Sequence, residues 1–508
     1  MERLEDIPRR WAAERPGAMV LKDPSGVRTW AELESARAAL AAELAAYGVR
    51  PGDRVMVLGE NCAAMVALLF ALASLDAWIV NVNARLSARE VDAIRAHSHA
   101  RCVLYLVDAS PDAATHAARH GAAAIDSHGW GTVLASPRDD ACACEPLGDS
   151  PTDRVAALVY TTGTTGEPKA VMLTHANVLF VAGAAGRLRR LAPSDRAFAV
   201  LPLSHVYGLS SVCMGTLLAG ASLHLQPRFT PAGMEAALAE GVTMCQGVPA
   251  MYTKYLDHLA HAGRAHVAPA LRAIYCGGSP LAASVKRAVE AAFGLTLHNG
   301  YGLTEAAPTV TQTRHEAPRS DCSVGPALPG VELRIVTAEG RDAAPGEVGE
   351  LWVRGPNVMQ GYYRDTRSTA EALREGGWLT TGDLARIEPD GAVHIEGRLK
   401  ELIIRSGFNV FPVEVEAVLN AHPGVSQSAV VGRQVEGNEE VVAFVEPVAG
   451  ARLEPAAIAA FAADRLAPYK RPAEVIVLDK LPAAASGKVL KGRLKEMARS
   501  SARTAPAD

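Results

Sequence analysis

Tyr160-Thr-Thr-Gly-Thr-Thr-Gly-Glu-Pro-Lys169 follows the apolar run Val155 to Val159 and precedes another, Ala170 to Leu173. Two glycines let the backbone close on an anion, the threonine hydroxyls and loop amides supply donors, and Lys169 adds a positive charge. The stretch predicts a strand, a loop that grips a polyphosphate through Thr161, Thr162, Gly163, Thr164, Thr165, Gly166 and Lys169, and a second strand. A Walker loop is excluded: the glycine spacing differs, no Ser or Thr follows the lysine, and the segment beyond it reads as a strand instead of a helix.

On the N-terminal side, helical patterns such as Trp30 to Tyr47 alternate with β-branched runs such as Arg54 to Leu58 and Arg101 to Val107. That alternation predicts parallel α/β layers. Cys62 to Val80 approaches the apolar length of a membrane span, but Asp76 interrupts it and basic flanks are missing. It predicts a buried helix, Ala63 to Ser74, leading into a buried strand, Trp78 to Val82. Ala109 to Ser150 lacks strong periodicity and is read as a variable surface excursion.

On the C-terminal side the texture changes after Asp383, through the turn Pro389-Asp390-Gly391 and the charged stretch Gly397-Arg-Leu-Lys-Glu401. A domain boundary is expected there. Beyond it the pattern predicts a helix over Val413 to Asn420, strands near Ser428 to Val431 and Val441 to Val445, a helix over Ala456 to Leu466, and a last strand, Glu474 to Leu478. The expected fold class is therefore a large α/β N-terminal domain, 1–397, a hinge at 398–401, and a small α+β C-terminal domain, 402–508, with its tail frayed from Ser500.

Composition narrows the function. Hydrophobic residues make up 49% and charged residues 21%, enough for packed cores. A net charge of −4 argues against a nucleic-acid surface, which needs clustered Lys and Arg. The eight cysteines are scattered, and Cys142 and Cys144 lack the spacing of zinc or redox pairs. With no signal peptide expected at Met1 to Arg10, the reading is a cytoplasmic protein with reduced thiols and no transmembrane segment.

Further short stretches follow in order: Leu201-Pro-Leu-Ser-His205, Tyr275-Cys-Gly-Gly-Ser-Pro280, Tyr301-Gly-Leu-Thr-Glu305, Thr381-Gly-Asp383, Gly397-Arg-Leu-Lys400 and Ser486-Gly-Lys488. Any one alone is weak. The ordered set, with the loop at Tyr160, resembles the adenylate-forming superfamily of acyl-CoA synthetases, luciferases and peptide-synthetase adenylation domains. Two departures stand out: Thr162 where the family usually has serine, and Ala170 where it usually has glycine.

The resemblance implies an adenylate-forming fold whose small domain is mobile. It also implies an AMP-forming acyl-CoA synthetase, with ATP and coenzyme A as substrates and Mg²⁺ as cofactor. Tyr301 then offers a face to adenine, Thr304 a hydroxyl to the α-phosphate and Glu305 a carboxylate to Mg²⁺ on the phosphates. Gly278, Asn299, Gly300 and Gly302 surround the nucleotide, and Asp383 and Arg398 meet its ribose. His205 lines the carboxylate site. Lys488 supplies an ammonium to the transferring phosphate oxygens. Lys400 is the hinge, and Ser406, Gly407 and Phe408, within Leu402 to Phe411, shape a pantetheine path after the small domain swings. The partners are small molecules, with a homodimer as the candidate assembly.

Competing readings are a stand-alone enzyme loading a carrier protein and a nucleotide-binding protein without chemistry. Amino-acid-specific relatives usually carry an aspartate near the place of His205 to Tyr207; Ser204-His-Val-Tyr207 offers none. Gly355-Pro-Asn-Val358 and Val324-Gly-Pro-Ala-Leu-Pro-Gly330 look like malonyl-CoA synthetases, but those place an arginine where this chain has Gly300. The expected acid is a fatty or aromatic monocarboxylate, its pocket walls drawn from Val206 to Cys213, Gln246 to Tyr252 and Cys276 to Pro280.

Overall fold

The computed structural model describes residues 1–162, 168–406, 408–435, 438–448, 450–483 and 489–501. The two apolar runs around the Thr- and Gly-rich stretch form the antiparallel strands Val155–Thr162 and Pro168–Thr174, with Thr161 opposite Lys169. They belong to an eight-stranded sheet whose inner strands, Val155–Thr162, Trp78–Asn83, Arg54–Gly59 and Cys102–Leu106, run parallel. Gly361–Tyr362 pairs antiparallel with Pro168–Thr174 at one edge. Arg54–Gly59 is buried at every position, as a parallel strand covered on both faces should be.

A second eight-stranded sheet runs Thr309–Gln312, Leu297–Gly302, Ala273–Cys276, Met244–Gly247, Arg196–Ala199, Ser222–Leu225, Met19–Asp23 and Gly26–Thr29. The helix Ala63–Ser74 is apolar all round and touches Met19–Asp23 of this sheet and Arg54–Gly59 and Trp78–Asn83 of the other. Such a helix has no face to offer water, so it sits between layers. Trp30–Tyr47 packs beside it. Its start is a capping box of Thr29 and Glu32, and its end is Gly48 at φ 100°. A five-stranded antiparallel sheet built on Gly349–Arg354 and Trp378–Ile387 follows, ending in Val393–Arg398.

The buried apolar cores of this first part close at Val393, and a new core begins at Ile403. Here Val425–Val435 and Asn438–Pro447 pair antiparallel, and Glu474–Val477 adds parallel. Alternation sorts their side chains. Val430, Val441, Ala443 and Val445 face Val415, Leu419, Ile458 and Ala462 of the helices Pro412–Leu419 and Pro455–Ala463. Ala429, Val431, Val442 and Phe444 face Leu494 and Ala498 of Lys491–Ser501. The chain thus has a large α/β N-terminal part and a small C-terminal part.

Two expectations need correction. The stretch Ala109 to Ser150 is not a mere excursion: it contributes the helix Pro111–Arg119 and the strands Ala123–Ile125 and Val133–Ala135, which extend the first sheet. Ser110 caps that helix and a proline opens it. The small domain also does not end with its last strand. Lys491–Ser501 covers a sheet face that would otherwise be bare, through Leu494 and Ala498 on one helical stripe. All eight cysteines are free thiols.

Candidate nucleotide and acyl site

The strand Leu297–Gly302 and the single 3₁₀ turn Thr304–Ala306 carry the Tyr301 to Glu305 stretch. Gly302 is forced by crowding: a Cβ there would lie 2.2 Å from the Pro308 carbonyl oxygen, a contact no side chain tolerates. The chain therefore turns back tightly, and Tyr301 and Glu305 point to different neighbours.

At one end, the Tyr301 hydroxyl donates to Asp383 Oδ2 at 2.5 Å. Asp383 is 3% exposed, in register with Arg398, whose Nε lies 3.0 Å from Asp383 Oδ1. Asp383 is positioned by its own turn. Its N–H donates to Thr381 Oγ1 at 3.0 Å, and Gly382, at φ 68°, donates its N–H to Glu350 Oε1 at 3.1 Å. Burial, reinforced by the Asp383 charge, raises the Tyr301 phenol well above its usual range, so it stays a donor. The structure brings together Tyr301, Asp383 and Arg398, the residues expected around adenine and ribose. A carboxylate oxygen accepts more than one hydrogen bond, the chemistry that a sugar hydroxyl needs.

At the other end, Glu305 Oε1 accepts from the Tyr362 hydroxyl at 2.8 Å. Lys169 places its ammonium 5.2 Å from the centre of the Tyr362 ring and donates to Ser368 Oγ at 2.8 Å. Burial and the adjacent Glu305 raise the Tyr362 phenol. Lys169 and Glu305 thus meet across one tyrosine. Neither Tyr362 nor Ser368 announces itself in the sequence: Tyr362 lies on a two-residue edge strand without periodic signal, and Ser368 in the first turn of the short helix Thr366–Ala372. Thr304 is buried beside Glu305, and Thr161 is half-buried opposite Lys169.

The expected acyl side contains an eight-residue π-helix, Tyr207–Met214, a geometry that accompanies functional sites more than packing alone explains. Burial pushes the Tyr207 phenol up to about 12. A Cβ on Gly277 would lie 3.6 Å from the Tyr207 hydroxyl oxygen and 3.2 Å from the Gly300 carbonyl oxygen, so these three residues converge. A Cβ on Gly300 would lie 3.1 Å from Thr311 O. His205 is exposed in the turn before the π-helix, and its Nδ1 accepts from the Tyr207 N–H at 3.2 Å.

The remaining expected residues stand apart. Asn299 is buried and spends its amide on the protein, donating to Cys322 O at 3.0 Å and accepting from the Gly300 N–H at 3.1 Å. Gly278 is exposed at φ 78°. Lys400 is exposed in the turn Leu399–Glu401. Ser406, at φ 52°, donates its N–H to Asn438 Oδ1 at 2.7 Å, and Phe408 is 54% exposed, its ring 4.6 Å from that of Tyr469. Thr162 ends its strand, its side chain outside the described residues, as are Gly163, Thr164, Thr165, Gly166, Gly407 and Lys488.

Among the described residues no group of His, Cys, Asp and Glu is arranged to hold a metal, and no helix is long and apolar enough to cross a membrane. A profile of the AMP-binding enzymes matches residues 8–363, and one of their C-terminal domain matches residues 414–488. A feruloyl-CoA synthase from Amycolatopsis sp is 37% identical over 501 residues, covering 97% of this chain and 98% of that protein. ATP-bound MatB from Rhodopseudomonas palustris superimposes with a TM-score of 0.84 at 29% identity, over 98% of this chain and 99% of that one. The O-succinylbenzoate coenzyme A synthetase MenE of Bacillus subtilis, solved with ATP and magnesium ion, gives a TM-score of 0.83 at 29% identity, over 96% and 99%. With both of its parts matched, this chain belongs to the adenylate-forming AMP-binding enzyme family.

Proposed function

We propose that the acid taken by this AMP-forming acid–thiol ligase is a fatty or aromatic monocarboxylate, activated as its acyl-adenylate and passed to the thiol of coenzyme A. The observation that carries the nucleotide half is the Tyr301 to Glu305 turn. One five-residue stretch sends Tyr301 to Asp383 and Arg398, and Glu305 to Tyr362 and Lys169. Those two ends suit a sugar and a polyphosphate. Glu305 fits Mg²⁺ as a single carboxylate at the phosphate end, so the ion is expected to arrive with ATP instead of resting in a protein cage. When bound, it supplies charge neutralisation on the phosphates.

Gly300 supports the monocarboxylate. It presents no side chain where the expected malonyl-CoA synthetase arginine would stand, and Thr311 O backs it at 3.1 Å from any added Cβ. A short diacid would leave its second carboxylate unpaired there, which is costly. The 37% identity to a feruloyl-CoA synthase supports an aromatic acid.

The proposed division is a large domain over 1–397, a hinge at 398–401 with Lys400 at its pivot, and a small domain over 402–508. Lys488 acts in adenylate formation, and Ser406, Gly407 and Phe408 guide pantetheine. Thr161, Thr162, Gly163, Thr164, Thr165, Gly166 and Lys169 hold phosphates, and Gly278, Asn299, Gly300 and Gly302 frame the nucleotide. His205 lines the carboxylate site, and Thr304 offers its hydroxyl to the α-phosphate. A homodimer in the cytoplasm is the proposed assembly and place. The test is coenzyme A-dependent AMP release across acetate, octanoate, palmitate, benzoate, coumarate and malonate. A monocarboxylate should exceed malonate in kcat/KM by at least about tenfold; malonate as the best substrate, or AMP release indifferent to coenzyme A, overturns the reading.

A further inference from the structure

The acyl side holds a buried positive charge that the chemistry above does not use. Arg189 caps the C-terminus of the helix His175–Leu188 and is 2% exposed. Its Nε donates to Gln312 Oε1 at 3.1 Å, Nη1 to the Ser211 carbonyl at 2.9 Å and Nη2 to the Ser211 hydroxyl at 2.8 Å. The guanidinium also lies 5.1 Å from the centre of the Tyr275 ring. Every one of these partners is neutral, and among the described residues no carboxylate pairs with it. A guanidinium enclosed without an anion is costly to keep, which makes it a candidate for a functional group.

Its surroundings have spare hydrogen-bonding capacity. Gln312 Nε2, both amide atoms of Gln246 and Ser210 Oγ are buried and lack a partner among the described residues. Gln246 is in register with Tyr275, so both side chains leave the sheet on the same face. Gln312 is in register with Gly300, next to Tyr301. Ser211 lies on the same π-helix as Tyr207. Gly277 lies close against both Tyr207 and Gly300: a Cβ there would stand 3.5 Å from Tyr207 Cε1 and 3.2 Å from the Gly300 carbonyl oxygen.

We propose that Arg189, held by Ser211 and Gln312, selects the acid by donating to a neutral oxygen on the end of the substrate remote from its carboxylate, so that the preferred substrate is an oxygen-substituted aryl acid. A guanidinium grips a carboxylate with two parallel N–H bonds from one edge, and three of the five N–H groups of Arg189, one on each nitrogen, already serve protein acceptors. What remains are single N–H groups, the pattern for one hydroxyl or ether oxygen. A rigid ring holds that oxygen at a fixed distance from the carboxylate. An alkyl tail would instead bring hydrocarbon against the unsatisfied donors. The inference rests on the acid–thiol ligase reading above.

The experiment measures kcat/KM for coenzyme A-dependent AMP release with cinnamate, 4-hydroxycinnamate, 4-methoxycinnamate, 4-carboxycinnamate and decanoate. The purified wild-type chain is compared with Arg189→Met and Ser211→Ala. The wild type should prefer the hydroxy or methoxy acid over cinnamate by about 10–100-fold, the size of leaving buried polar groups unmet. That ratio should collapse to within about threefold in Arg189→Met and fall part of the way in Ser211→Ala, which keeps the charge but loses one anchor. A wild-type ratio near one, decanoate or 4-carboxycinnamate as best substrate, or an undiminished ratio in Arg189→Met each overturns the proposal. If Arg189→Met does not fold, the wild-type ratio and Ser211→Ala still decide it. AMP release with none of the acids sinks the ligase reading itself, and this inference with it.

Discussion

Tyr362→Phe isolates one bond at the proposed phosphate end of the site. The substitution removes the hydroxyl that donates to Glu305 Oε1 at 2.8 Å and leaves the ring under Lys169. A hydrogen bond to a charged group contributes about 1.5–3 kcal/mol. Glu305 is half-buried, so water recovers part of the loss and about 1–1.5 kcal/mol remains. If Glu305 orients the magnesium-bound nucleotide, that becomes a loss of roughly 5–10-fold in kcat/KM for ATP. The assay is acid-dependent ATP–pyrophosphate exchange with MgATP varied at saturating acid; the KM for the acid should move by less than about twofold. A cycle of Tyr362→Phe, Glu305→Gln and the double variant should show a coupling of about 1 kcal/mol. Tyr362→Leu, which also takes the ring from under Lys169, should cost about 0.5–1 kcal/mol more. Additivity within about 0.3 kcal/mol, or an acid KM that rises as much as that of ATP, refutes the assignment of Glu305 and Lys169 to one phosphate-binding unit.

Two further outcomes test other parts of the molecule. If the small domain alternates between half-reactions, Lys488→Ala should cut pyrophosphate exchange by roughly a hundredfold while largely sparing thioester formation from supplied acyl-adenylate, and Gly407→Trp should do the reverse; equal losses in both assays would favour one fixed site. His175 is buried, its Nδ1 accepting the Leu4 N–H at 3.2 Å, and burial, with Arg3 nearby, lowers its pKa to about 4. The unfolded chain therefore takes up this proton first, and stability falls as pH drops from about 6.5 to about 4, by roughly 3 kcal/mol from this group. Urea midpoints at pH 7 and 4.5 should differ less in His175→Gln than in the wild type; equal differences would show that this histidine carries no linkage.

Elements with a strong local pattern are legible in the amino-acid sequence alone. Ala63–Ser74 announces burial because no face of it is polar, and the strands around the Thr- and Gly-rich stretch are bounded by their own composition. The ordered short stretches point to Tyr301, Asp383 and Arg398, which the fold does bring together. Lys491–Ser501 escapes such a reading because its apolar stripe is only Leu494 and Ala498, and that stripe acquires meaning once the sheet face it covers exists.

The polar residues that complete the site are illegible for a different reason. Tyr362 reaches Glu305 because Gly361–Tyr362 joins the edge beside Lys169, a pairing set by the sheet and by no pattern around Tyr362 itself. Arg187, Arg189 and Arg190 sit in one basic helix end, where a run of charges ordinarily reads as a solvated terminus. Only the rotation of the helix and the place of Ser211 and Gln312 decide that Arg189 turns inward while Arg187 and Arg190 do not share its partners. A hydrophobic side chain declares its burial by its neighbours' periodicity. A charged one declares it only through the acceptors that the rest of the fold delivers, which is why Tyr301, Asp383 and Arg398 can be anticipated from short stretches while the inward turn of Arg189 emerges only from the folded chain.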